Sequence, residues 1–390
     1  MNIGILINGL NGGGAERCAA ELSKYLTAKG HHVYIITENL TKGRYDFSGK
    51  IIIIRQSTGS RMKHLSTVKR LLYLTQEMKK IKKKYRIQTA ISFMEDYNIP
   101  NILSKTTERV IIRVCTILSV RDDKKGFLYH PVFLRLLYNR ADQVIAISKD
   151  GRNDLMYHYG IAPQKIMIIP NTVETSSYPD EVWNWQQRVL ICVQRIVPLK
   201  QQMLLAKVFS KVMETCPDMM LLFVGNDRSA YAHEVKEVLK RHHVPSDRVA
   251  FTGQVRNVRF YLERSDMYIS FAKVEAFGNT TIEALSAGLP VICMDAPGAT
   301  REILAPGTKK TRSTHKTEYS DYGILFPLVD ENNADDGQIV YLANELANIW
   351  QNDDIKQSYR QNARKRAAWY SMKNIGKLWD QAIEGVTKNG

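Results

Sequence analysis

The sequence predicts an α/β protein made of two doubly wound parallel-sheet domains in tandem, and three observations carry that expectation. The chain has 390 residues, beyond the size at which a single hydrophobic core keeps growing. Short apolar runs of strand length alternate with amphipathic segments of helix length, the pattern of a parallel sheet with crossover helices. That alternation occurs twice, and a stretch without any period separates the two series.

In the first series, Asn2–Asn8 reads as a strand, Gly12-Gly13-Gly14 as a turn and Ala15–Lys29 as a helix stopped by Gly30. Strands at His32–Thr37, Ile51–Arg55, Thr89–Phe93, Val110–Thr116 and Gln143–Ser148 follow, with helices at Leu65–Tyr85 and Pro131–Arg140. Pro170 to Arg188 holds two prolines and several serines and threonines, the composition of a linker. The second series has strands at Val189–Val193, Met220–Val224, Val249–Phe251, Met267–Ser270, Pro290–Cys293 and Tyr322–Phe326. Its helices are expected at Lys200–Thr215, Tyr231–His242, Tyr261–Ser265 and Thr280–Ala287. Ala305–Asp321 reads as a basic surface loop, and two helices, Ile355–Tyr370 and Met372–Val386, close the chain. The domains are therefore expected at 1–172 and 189–370, with a linker at 173–188. Residues 371–390 form a final helix.

Composition narrows the function classes. A 44% hydrophobic and 24% charged chain is ordinary for a globular protein, and no apolar run approaches the roughly 18–20 residues needed to cross a bilayer. Met1 to Ile7 shows no basic start and no cleavage site, so a cytoplasmic protein is expected. Cys18, Cys115, Cys192, Cys216 and Cys293 are scattered and odd in number, which fits buried thiols rather than a disulfide framework or a zinc site. Residues 1–180 carry 28 Lys/Arg against 15 Asp/Glu, a net +13 of the total +16. A basic half on such a protein suggests an anionic partner. No recognition motif accompanies the charge, so nucleic acid is not expected. Lys79-Lys80-Ile81-Lys82-Lys83-Lys84 on a helix, and Phe127-Leu128-Tyr129 and Phe133-Leu134 beside Lys124-Lys125, are the candidates for an anionic lipid surface.

The chemistry concentrates in Val274-Glu275-Ala276-Phe277-Gly278-Asn279-Thr280-Thr281-Ile282-Glu283-Ala284-Leu285-Ser286-Ala287-Gly288-Leu289-Pro290. A strand ending at Ser270 feeds a loop, and a helix starts near Thr280, offering free N–H groups and a positive dipole end to phosphate. Two carboxylates beside an anion-binding end make sense if the phosphate carries polyols, because carboxylates accept from hydroxyls. Gln194-Arg195-Ile196-Val197-Pro198-Leu199-Lys200 after the second domain's first strand adds two cations. Gly12-Gly13-Gly14-Ala15-Glu16-Arg17 lets a ligand approach the backbone closely. Glu38 at the end of the second strand keeps a nicotinamide-type reading of that loop open.

These segments resemble the family-4 retaining glycosyltransferases of the GT-B fold, two Rossmann-like domains facing a central cleft, particularly bacterial enzymes of surface-polysaccharide and lipid-linked oligosaccharide synthesis. The resemblance implies that Glu275 contacts the transferred sugar and Glu283 the nucleotide ribose. The backbone of Phe277, Gly278, Asn279 and Thr280 would face the diphosphate, and Arg195 and Lys200 would neutralise it. The family's flanking glycines are here Gln194 and Gln201. Gly13 and Gly14 would line the cleft, and Asn226 and Val255 lie where the family holds the base. The final helix would cross back to the first domain, anchored by Trp369, Ile375 and Trp379. Ser92-Phe93-Met94-Glu95 is similar to enzymes that transfer N-acetylhexosamines to polyprenyl-diphosphate sugars, which makes Glu95 and Arg113 candidates for the acceptor.

The function expected is transfer of a hexose or N-acetylhexosamine from a nucleotide-diphosphate sugar, UDP-linked, to a polysaccharide or lipid-linked glycan. No metal and no other cofactor is expected, and the protein would lie on the inner face of the plasma membrane. The rivals are a nucleotide-sugar epimerase of the same architecture and a noncatalytic protein binding sugar nucleotides or polyanions.

Overall fold

A computed structural model of the protein describes residues 1–39, 45–54, 67–120, 127–173, 188–308 and 315–385. It divides into two compact units, Met1–Thr172 with Met372–Gly390, and Val173–Ser371. Most of the expected linker, 174–187, lies outside the described residues, as do Arg55, Leu65, Lys124 and Lys125.

The first unit runs β1 (Asn2–Leu6), α1 (Gly14–Ala28), β2 (His32–Thr37), β3 (Lys50–Ile53), α2 (Thr67–Lys84), β4 (Thr89–Phe93) and α3 (Glu95–Leu103). It continues with β5 (Arg109–Val114), α4 (Pro131–Tyr138), β6 (Gln143–Ala146), α5 (Lys149–Tyr157) and β7 (Ile166–Ile168). The strand order is β3-β2-β1-β4-β5-β6-β7, all parallel. Such strands must be apolar on both sides because helices cover both faces; every residue of β4 is buried. The two-residue period sorts the core. Ile3, Ile5 and Ile7 face α1, whereas Leu6, Ile36 and Ala90 face Leu74, Met78 and Ile81 of α2.

The second unit runs β8 (Arg188–Val193), α6 (Gln202–Val212), β9 (Met219–Val224), α7 (Ala230–Arg241), β10 (Val249–Phe251), α8 (Val258–Leu262), β11 (Met267–Ser270) and α9 (Asn279–Ser286). Then come β12 (Val291–Met294), α10 (Thr300–Leu304), β13 (Glu318–Tyr319), β14 (Ile324–Phe326), α11 (Asp336–Gln351) and α12 (Asp353–Trp369). Its order is β10-β9-β8-β11-β12-β14-β13. Only β13 runs antiparallel among the described strands, pairing with β14 inside what sequence reading takes as a loop. Two residues are too few to show a period.

Other elements were also not foreseen. α3, α5 and α10 are short, and α8 begins at Val258, capped by the Asn257 side chain, rather than at Tyr261. α11, absent from the expected helices, carries an Asp335/Gln338 capping box, a start signal legible in the sequence.

The last helix, α13 (Met372–Glu384), belongs to the first unit. Ile375 and Trp379 enter the core beside α1. A Cβ on Gly376 would lie 2.4 Å from the Tyr25 ring, so the two helices approach as closely as glycine allows. The Tyr25 hydroxyl donates to Asp380 at 2.7 Å, and Arg109 Nε donates to the Ala382 carbonyl at 3.0 Å. Trp369 does not share in this anchoring: it sits on α12 and is 46% exposed.

The basic tract on α2 also differs from the expectation. Lys82 is buried, with its ammonium 2.7 Å from Glu108 and donating to the Asn101 carbonyl at 2.8 Å. Burial pulls the Lys82 ammonium down to about 8, and Lys82 and Thr106 hold the Glu108 carboxyl below its usual range although burial by itself would raise it. Glu108→Gln strands this ammonium, so urea unfolding should show a loss of about 3–5 kcal/mol at pH 7. The gap to wild type should narrow at pH 9, where Lys82 sheds its proton.

Candidate active site

In the second unit, β8, β11 and β12 lie side by side and parallel, so the loops leaving their carboxyl ends meet. The Gln194 N–H, just beyond β8, donates to the Val224 carbonyl at 3.0 Å. A Cβ on Gly225 would stand 1.9 Å from the Gln194 oxygen, so only glycine fits there. Arg195 is exposed, and a tight turn over Pro198–Lys200 follows.

Gln201 has φ 51° and ψ 39°, the left-handed conformation that glycine adopts freely and other residues at a cost. Its buried amide offsets that cost. It donates to the Phe271 and Val329 carbonyls, both at 2.9 Å, and accepts from the Glu331 N–H at 2.8 Å. Gln202 donates to the Arg195 carbonyl at 2.9 Å. The loop therefore keeps a glycine-type path without the glycine.

From β11, Lys273 donates its N–H to the Leu199 carbonyl at 3.0 Å, joining the two loops. The Glu275 N–H donates to the Pro297 carbonyl at 3.0 Å, and its own carbonyl accepts from Ala299 at 3.1 Å. Gly298 makes this approach possible, since a Cβ there would lie 1.8 Å from the Glu275 oxygen. Behind that loop, Arg301 bonds Asp295 at 2.6 Å and Glu318 at 2.8 Å.

The Glu275 carboxylate is 2.6 Å from the Lys200 ammonium, both side chains mostly buried. Gly278 (φ 94°) then turns the chain into α9 and packs against the Glu275 side chain. Asn279 is the first residue of α9, and the Thr280 hydroxyl is 2.9 Å from that of Tyr268. Phe277 points inward, edge-on to Tyr370, so its backbone is the part left to meet a ligand. Glu283 follows in the second turn, half-buried. Burial pushes the nearby Cys192 and Cys293 thiols up to about 12, so neither is a nucleophile at neutral pH.

Lys200, Glu275 and Gly278 are thus brought together with the start of α9. Asn226 follows β9, exposed, its side chain accepting from the Arg228 N–H at 3.1 Å; Val255 is half-buried beyond β10. Gly298 and Ser270 are not among the residues the sequence singles out for the site, and Gln194 stands there only in place of a family glycine. The Pro297-Gly298 pair was visible as a turn, but nothing in sequence assigns it to Glu275.

In the first unit, Gly13 caps α1 without a side-chain bond and Gly14 opens the helix. The Glu16 carboxylate folds back over Gly13, 2.2 Å from where a Cβ would be, which makes it part of the helix start. Glu38 Oε2 accepts from Arg70 at 2.6 Å and from the Tyr97 hydroxyl at 2.8 Å, so it is not poised for a ribose. Glu95 is enclosed at the start of α3, after Met94 at a strained φ of 68°. Arg113 is wholly buried, lies over the neighbouring Phe93 and Trp379 rings, and donates to the Ile169 carbonyl and the Asn171 side chain. That position ties the sheet to α13 and corrects the expectation of an acceptor contact. Among the described residues, no three His, Cys, Asp or Glu side chains gather as a metal site.

Comparison with known proteins agrees with this geometry. Residues 12–177 match the family model for Glycosyltransferase Family 4, and residues 174–318 the model for Glycosyl transferases group 1. The chain belongs to the family-4 glycosyltransferases. It is 24% identical over 386 residues to the N-acetylgalactosamine-N,N'-diacetylbacillosaminyl-diphospho-undecaprenol 4-alpha-N-acetylgalactosaminyltransferase of Campylobacter jejuni, covering 97% of this chain and 98% of that one. Among solved structures, a Rickettsia africae glycosyltransferase superposes with a TM-score of 0.75 at 18% identity, covering 100% and 99% of the two chains. An Anabaena protein crystallised with UDP and glucose gives 0.73 at 15% identity, covering 99% and 100%. These likenesses show the GT-B fold.

In this glycosyltransferase the glutamine scaffold makes a stability prediction. Gln201→Ala keeps the left-handed strain and loses three hydrogen bonds, whereas Gln201→Gly loses the bonds but relieves the strain. Thermal melts should rank wild type above Gln201→Gly, and Gln201→Gly above Gln201→Ala by about 1 kcal/mol.

Proposed function

We propose that the protein transfers a hexose or N-acetylhexosamine from a UDP-sugar, with retention of anomeric configuration, to a lipid-linked or polysaccharide glycan. The observation that carries this reading is the Lys200–Glu275 pair beside the N-terminus of α9. Lys200, Arg195 and the first amides of α9 supply positive charge for a diphosphate. The Glu275 carboxylate, held before α9, suits a hydroxyl of the sugar, and Glu283, in the second turn of α9, suits the ribose.

Catalysis on this reading is stabilisation of the departing diphosphate plus positioning. Attack comes from the face the nucleotide leaves, and a phosphate oxygen takes the acceptor proton. Cations and helix amides serve the diphosphate, so no metal is assigned a role. Glu275 orients the sugar and is not a nucleophile. The acceptor class is supported by the full-length likeness to the Campylobacter enzyme, whose name describes transfer to a diphospho-undecaprenol-linked sugar.

Incubation with a panel of nucleotide sugars and a bacterial lipid extract tests the reading. Release of nucleoside diphosphate with sugar incorporated into lipid is expected. Epimerised donor, or binding without turnover, overturns it. Glu275→Ala should lower transfer by at least about 100-fold while circular dichroism shows the fold intact.

The reading includes a peripheral position on an anionic membrane, on its cytoplasmic face. No described helix is long and apolar enough to cross a bilayer. The apolar candidates differ from those first named: Leu134 is buried, and Leu128 and Phe133 pack on the core. Exposed instead are Val132 and Leu136 on α4 and Val68 and Leu72 on α2, each pair one turn apart. Arg135 and Lys69 lie beside them, also exposed, an apolar-and-basic surface suited to lipid. Leu136→Asp should weaken sedimentation with phosphatidylglycerol vesicles about tenfold; equal binding would remove α4 from the contact.

A further inference from the structure

Gln194 is buried at the end of β8, between two other strand ends, and its side chain is placed by its neighbours rather than by solvent. Its Nε2 donates to the Ser270 hydroxyl at 2.7 Å and, more loosely, to Glu275 Oε2 at 3.4 Å. The Lys200 ammonium reaches the same Oε2 at 2.6 Å. Among the described residues, every hydrogen bond to the Glu275 carboxylate falls on that one oxygen.

The amide can point only this way. A carboxylate accepts and cannot donate, so the NH2 must face Glu275. The other end, Oε1, is left to the Cys192 thiol at 3.9 Å, a weak donor that suits it. The backbone is equally fixed, by the bond to Val224 and by the close approach of Gly225.

We infer that Gln194 is a positioning residue of the donor site: with Lys200 it ties down Glu275 Oε2 and turns Oε1 toward a hydroxyl of the transferred sugar. A carboxylate held at one oxygen has its plane and its second oxygen defined; one held by a flexible lysine alone keeps a rotational freedom that sugar binding must then remove. A glycine, which the resembling segment carries here, has no side chain to do this. The chain thus assigns to Gln194 a selection among sugars that acts through Glu275. This inference rests on the reading of Glu275 as the sugar contact.

The test is a double-mutant cycle read by binding, so that inactive variants remain measurable. Wild type, Gln194→Met, Glu275→Gln and the double variant are titrated calorimetrically with UDP-N-acetylglucosamine, UDP-N-acetylgalactosamine and UDP. Methionine keeps the volume and removes the donor. Gln194→Met should weaken the preferred UDP-sugar about fivefold to tenfold relative to UDP, with UDP itself within about twofold of wild type. In the Glu275→Gln background the same change should add less than about twofold.

An unchanged UDP-sugar/UDP ratio in Gln194→Met overturns the inference. So does a parallel loss of UDP affinity, which a merely structural role produces, or a full effect that persists without the Glu275 carboxylate. If Glu275→Gln leaves the ratio untouched, the sugar-contact reading itself fails and the inference with it. Binding of none of the three nucleotides by wild type overturns the UDP-donor reading too.

Discussion

The adjacency of β8, β11 and β12 in one parallel sheet is the constraint on which the candidate site depends. Three loops distant in sequence leave the same end of that sheet, and Lys200 meets Glu275 although 75 residues separate them. Each loop then fixes the next. Leu199 accepts from Lys273, Pro297 and Ala299 hold the Glu275 backbone, and Gly298 allows the contact. Arg301, between Asp295 and Glu318, braces the third loop from behind. The ion pair is thus a consequence of sheet order, and its geometry is held by backbone contacts more than by its own charge.

The glutamines show how a family pattern can be departed from without losing its geometry. Gln201 occupies a conformation that favours glycine, and three hydrogen bonds to buried backbone groups compensate the strain. Gln202 holds the Arg195 carbonyl, and Gln194 reaches Ser270 and Glu275. A buried amide is costly unless its donors and acceptors are satisfied. Gln201 meets that condition with backbone groups at strand and loop ends, and Gln194 meets it with the Ser270, Glu275 and Cys192 side chains.

The first unit places its charges differently. Lys82 with Glu108, Glu38 with Arg70 and Tyr97, and Arg113 over two adjoining aromatic rings are internal ties. The net positive charge that the sequence shows is therefore not all surface charge. Aliphatic pairs on α2 and α4 are among the apolar residues left outside, while Phe133 packs inward.

The sequence by itself determined the two α/β units, their long strands and helices, and the segment around Glu275 and Glu283. Those rest on local periodicity and on a continuous motif, both of which survive in one dimension. Short elements such as β7, β13 and α10 did not, because a few residues carry no period and only their neighbours stabilise them. Which charged residues are buried was equally hidden: Arg113 and Lys82 look like solvent-facing cations until the sheet and α13 enclose them. Only the tertiary structure decided that Gln194, Lys200 and Gly298 converge on Glu275, with Ser270 behind Gln194. Those contacts arise where parallel strands end side by side, and the order of strands in a sheet is a long-range property that no local stretch of sequence encodes.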